Sequence, residues 1–120
     1  MNSKIYILFV GIIISTLVVS CSDAEIVSGV YKGRIYRVDT VAATATVVGI
    51  NDSFVRIEVK ADNQSTGYVE YAQLTKAANE AYNLILDDVL GGFVLTGYYY
   101  ENALHINSYT SNYGFDGVTQ

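Results

Sequence analysis

From Val55 to Lys60 the chain alternates strictly: Val55, Ile57 and Val59 are apolar, while Arg56, Glu58 and Lys60 are charged. Successive side chains of an extended strand point to opposite faces, so this run reads as a strand with one dry and one wet face. The same rhythm returns at Tyr82, Leu84 and Leu86, at Phe93, Leu95 and Tyr99, and at Leu104 and Ile106. Turn-forming residues fall between these runs: Asn51-Asp52-Ser53, residues 62–67, Asp87-Asp88 through Gly91-Gly92, and Glu101-Asn102. The spacing predicts strands over 29–38, 43–50, 54–60, 67–74, 81–87, 92–100 and 103–110. The fold class expected is all-β: an antiparallel up-and-down meander closed into a barrel or packed as a sandwich.

One stretch has helix formers. Leu74 to Ala81 lasts barely two turns, too short to stand as a helix alone, and is expected to be a turn or a single helical turn joining two strands. The absence of proline leaves the ladders uninterrupted. The predicted core is Val55, Ile57, Val59, Leu84, Leu86, Phe93, Leu95, Leu104 and Ile106. The last hairpin should turn at Glu101-Asn102, which sets Tyr99 opposite Leu104 in the core and Tyr98 opposite His105 outside.

The amino terminus differs in kind. Lys4 precedes an uncharged apolar run from Ile5 to Val19, and Ser20 and Cys21 follow. As a helix those residues rise about 22 Å, short of the roughly 30 Å hydrocarbon core. A positive start, a short apolar run and a small residue at its end describe a secretory signal. Leu17-Val18-Val19-Ser20-Cys21 resembles a lipobox, the site at which bacteria acylate a cysteine thiol and cleave before it. The resemblance implies a signal peptide at 1–20, a lipidated tether at 21–28 and a single small β domain at 29–120. It makes Cys21 the lipidated residue and the membrane a partner through that anchor. Several acyl chains on one cysteine suffice for stable residence in a leaflet, where one chain holds only marginally. The expected address is the cell envelope: the outer membrane, with surface exposure in view, as the acidic Asp23 and Glu25 beside the anchor suggest.

Charge narrows the partners. The whole chain carries a formal charge of −5, and loss of Lys4 with the signal takes it to about −6. Nucleic acid, which needs a basic face, is excluded as a partner. The single cysteine, once acylated, leaves no disulfide within the chain.

Residues Ser28 to Ile35, with Gly29, Tyr31 and Gly33 at alternate positions, are similar to the opening of small calycin-like (lipocalin-like) lipoproteins of Gram-negative bacteria. The run Gly97-Tyr98-Tyr99-Tyr100-Glu101-Asn102-Ala103-Leu104-His105-Ile106 resembles the closing hairpin of that family. The resemblance implies a barrel and an envelope address. It implies no activity.

No catalytic constellation is expected. His105 is the only histidine, and the alternation turns it outward beside Tyr98. Asp87-Asp88 are adjacent strand residues whose side chains diverge, and a turn is the better reading. No spacing suits zinc or calcium, and no glycine-rich loop opens a helix, so no metal and no cofactor are expected. Tyrosine is the unusual component: 11 in the chain, with no tryptophan. Core filling and strand preference account for most of them. Tyr98, Tyr100 and His105 are the candidate ligand-binding residues, with Asn107 near, because rings beside imidazole and amide donors suit a sugar, a peptide or a flat organic ligand. Asp39-Thr40-Val41 resembles an O-glycosylation acceptor of exported Gram-negative proteins, with Thr40 as the glycan acceptor. The function expected is a non-enzymatic envelope lipoprotein with a ligand-binding or accessory role toward a small molecule, a glycan or a protein. The alternatives are an assembly subunit pairing through strand edges, and a small hydrolase or its inhibitor.

Overall fold

A computed structural model describes residues 22–37, 39–87, 93–108 and 112–119, with backbone alone for Asp87 and 93–95. Residues 1–20, expected to be a signal peptide, Cys21, Asp88, the Gly91-Gly92 pair and the side chains of Phe93 and Leu95 lie outside the described residues. The chain folds as a short helix, α1 (Asp23–Val27), and eight strands: β1 (Gly29–Tyr36), β2 (Thr40–Gly49), β3 (Phe54–Ala61), β4 (Tyr68–Lys76), β5 (Tyr82–Asp87), β6 (Phe93–Tyr100), β7 (Ala103–Ser108) and β8 (Tyr113–Thr119). Every strand pairs antiparallel with the next, and β1 pairs with β8 to close the ring. The meander is therefore a barrel, and the sandwich alternative falls away.

Alternation fills the barrel. Val55, Ile57, Val59, Leu84, Leu86, Leu104 and Ile106 are buried as the sequence predicts, and Arg56, Glu58 and Lys60 remain partly exposed on the outside. Tyr31 and Phe115 are the largest of the fully buried side chains. At the closing seam Gly33 stands opposite Gly117, and a Cβ on Gly33 would fall 1.8 Å from the Asp116 carbonyl oxygen. Only glycine permits that approach.

The structure departs from expectation at two places. Strand β8 was not among the predicted strands; it takes its inward face from Tyr113 and Phe115 and supplies the closure. Residues 22–28, expected as a plain tether, fold onto the barrel mouth. Ser22 caps α1, its Oγ accepting from the Glu25 N–H at 3.2 Å, while Ala24 and Val27 are buried. Apolar side chains at those two positions outweigh the weak helix propensity of five residues. The 74–81 stretch joins two strands through a single helical turn, as expected: strand runs to Lys76, and one 3₁₀ turn follows at Ala78–Glu80, with left-handed backbone at Asn79 and Glu80.

Two mouths result. Around α1 lie the ends of β2, β4, β6 and β8 and the starts of β1, β3, β5 and β7. At the far mouth the order reverses.

Candidate functional site

The β6–β7 hairpin has the predicted register. Glu101 and Asn102 both take positive φ, as a two-residue hairpin turn demands, so Tyr99 faces Leu104 and Tyr98 faces His105. Tyr99 and Leu104 are buried; Tyr98 is 51 % exposed. The Tyr98 and His105 rings lie 5.3 Å apart at 32°.

Ring closure extends this pair into a row. His105 stands opposite Asp116 on β8, and Asp116 stands opposite Arg34 on β1. Tyr98, His105, Asp116 and Arg34 thus occupy one outward rung across four strands. The His105 Nδ1–H donates to the Asp116 carboxylate, which holds the ring and leaves Nε2 as its second polar atom. A shallow groove of about 430 Å³ runs along the rung, lined by Lys32, Arg34, Tyr36, Tyr98, His105 and Asp116 among others.

Tyr100 lies apart from that groove. It is outward-facing like Tyr98 but lines a different cleft, of about 590 Å³ at the α1 mouth, with Ile26, Lys76, Tyr82 and Glu101. The Glu101 carboxylate, by its charge and by a hydrogen bond, pushes the Tyr100 phenol above its ordinary pKa. Asn107 is exposed beside Tyr36 and Arg37, toward the far mouth. Thr40 is exposed at the start of β2.

Sequence reasoning missed Asp116, Arg34 and Lys32 as neighbours of His105. The alternation Tyr113, Phe115, Gly117 against Gly114, Asp116, Val118 marks a strand, and closure of eight strands brings β8 beside β1. It also missed Glu70. Tyr68, Glu70, Ala72 and Leu74 share the inward face of β4, so a carboxylate enters the barrel. Ser108 Oγ donates to Glu70 Oε1 at 2.9 Å, and the Tyr113 hydroxyl does so at 3.3 Å. Burial first, and the Glu70 charge second, push the Tyr113 phenol well above its ordinary pKa. Above the cluster the Tyr68 ring stacks on Tyr113 at 4.5 Å, and the Arg37 guanidinium lies over Tyr68 at 5.5 Å and donates to its hydroxyl. Among the described residues no three metal-ligating side chains converge.

Comparison of the chain with protein-family models, curated proteins and solved structures gives no match.

Proposed function

We propose that the protein is a lipoprotein of a bacterial outer membrane, held by acyl chains on Cys21, whose barrel is a non-catalytic binding module. Its ligand lies along the rung Tyr98–His105–Asp116–Arg34, and the chemistry of that rung fits an acidic glycan strand. The observation that carries the reading is the rung itself: an aromatic face, an oriented imidazole, a carboxylate and a guanidinium on four successive strands, all outward. Three interstrand steps span about 14 Å, an extended site rather than a pocket for a small molecule. Lys32 and Arg34 outnumber Asp116 among the residues lining the groove, so the site carries a small positive excess on a chain whose net charge is −5.

The signal segment and lipobox support the anchor, and the calycin-like resemblance agrees with an envelope address. Asp116 is the one carboxylate among the residues lining the groove, where glycoside hydrolysis commonly uses a pair, which favours binding over hydrolysis. The closed ring pairs all eight strands on both sides, which takes away the footing for assembly through strand edges.

Calorimetric titration with tri-galacturonate tests the site. Wild type should bind, and Tyr98→Ser or Arg34→Ala should lose binding with the melting temperature nearly unchanged, since one exposed cross-strand pair contributes only about 0.2–1 kcal/mol. Equal binding by the variants would sink the proposal. Equal affinity for a neutral trisaccharide would show that the charge is not read. Preference for a glutamate-rich peptide would replace the glycan with a protein partner.

A further inference from the structure

The segment after Cys21 offers almost no slack. Ser22 is already the N-cap of α1, and α1 is fixed to the barrel at several points. The Ala24 N–H donates to the Asp52 carbonyl at 3.0 Å, the Tyr82 hydroxyl donates to Asp23 Oδ1 at 3.0 Å, and the Tyr31 hydroxyl donates to the Val27 carbonyl. Ala24 sits over Gly49, where a Cβ would lie 3.2 Å from the Ala24 Cβ. A group on the Cys21 thiol is therefore one residue from a rigid body.

The surface around that exit is apolar in a way the rest of the barrel is not. Ile26, Val30, Val48, Ile50 and Val118 are between 43 and 56 % exposed, and all lie at the α1 mouth. Among the described residues Val69 is the one other exposed aliphatic side chain of comparable size, and it lies at the far end of β4. Register makes part of the patch continuous: Val118 stands opposite Lys32, two residues from Val30, and Val30 stands opposite Thr46, two residues from Val48. Diagonal neighbours of this kind are within side-chain reach. Polar groups at the same mouth are more often acidic than basic, with Asp23, Glu25, Asp52, Glu80 and Glu101 against Lys76, Arg56 opposite Val48 and Lys32 opposite Val118.

We infer that the barrel stands end-on on its membrane, α1 mouth down, with Ile26, Val48 and Ile50 entering the headgroup region of a zwitterionic leaflet. The inference rests on Cys21 being acylated. The short connection brings the mouth to the surface, and the apolar rim gives it a favourable contact once there, in the manner of interfacial segments that bury an apolar face by about 5–10 Å. The acidic groups oppose an anionic leaflet. The groove at Tyr98 and His105 then lies on the barrel wall, with Val118 at its membrane end, and the far mouth points away.

The chain has no tryptophan, so single reporters are unambiguous. Ile50→Trp, Ile26→Trp and Val69→Trp, each in the lipidated protein, are reconstituted into phosphatidylcholine vesicles containing brominated lipid. Mass spectrometry first establishes the acyl chains on Cys21. Trp at 50 and at 26 should lose most of their emission, and Trp at 69 should keep it. Adding anionic lipid should not increase the quenching. If Cys21 carries no acyl chain, the anchor and the orientation fall together. If it is acylated and all three reporters are equally bright, the orientation is wrong and the anchor stands. Protection of positions 50 and 26 by self-association, seen as a dimer in detergent, would make the rim a contact between copies and overturn the leaflet contact.

Discussion

At the α1 mouth Ala24 and Val27 press a five-residue helix onto the barrel, whereas at the far mouth Ser108 and Tyr113 donate to Glu70 beneath the Tyr68 ring. Both plugs are buried, and each ties down a phenol: Tyr31 to the Val27 carbonyl, Tyr113 to Glu70. The difference is the kind of free energy. Apolar burial is nondirectional and tolerates a change of shape at modest cost. A buried polar cluster holds only while each donor keeps its acceptor, and breaking it costs the desolvation of what is left behind.

Glu70→Ala should therefore be the most damaging change at either plug. It removes the acceptor of two buried hydroxyls and leaves a void, for a loss of about 3 kcal/mol in urea denaturation. Glu70→Gln, which keeps a carbonyl oxygen, should lose less; equal losses would mean that volume and not hydrogen bonding holds the far mouth. Val27→Ala should cost about 1.5–2 kcal/mol, the transfer free energy of the methyl groups withdrawn from a fully buried site. The two effects should add in the double variant, because the plugs share no partner. Clear non-additivity would show the mouths to be coupled through the barrel.

Alkali probes the two phenols with a smaller effect. Burial raises the pKa of both Tyr31 and Tyr113 above the ordinary value of 10.0, with the Tyr99 and Glu70 charges adding to the respective shifts. Below about pH 10 both states keep the proton and neither tyrosine makes stability depend on pH. Above it the unfolded chain releases protons that the folded one retains, so stability falls as pH rises, by up to about 1.4 kcal/mol per pH unit for each phenol. Tyr31→Phe and Tyr113→Phe should each flatten that slope between pH 10 and 12 by one tyrosine's share. An unchanged slope in either variant would mean that the phenol reaches water.

These plugs also separate what could be read in the sequence from what could not. The walls were legible because period-two alternation is a local signal: Val55 to Lys60 and Gly97 to Ile106 state their faces and their turn within a few residues. Half of the outward rung was legible for the same reason, since Tyr98 and His105 meet across a two-residue turn. Asp116 and Arg34 join them through pairings on β8 and β1, and the β1–β8 contact has no local signature. Glu70 shows a further limit: alternation places it inward, but the hydroxyls that satisfy it come from β7 and β8. Tyr100 taught the opposite lesson. It shares a face with Tyr98 by alternation, yet the barrel mouth gives it Glu101 and Ile26 for neighbours.

The seam where Gly33 meets Gly117 has a consequence in time. Every other strand pairing joins strands that are consecutive in the chain. The β1–β8 rung alone joins opposite ends of the domain, so it closes the longest loop of any pairing and carries the largest loop-closure cost. Until it zips, β1 and β8 each offer a bare row of amides and carbonyls. The lifetime of that open ring is the interval in which one copy of the chain can add its edge to another.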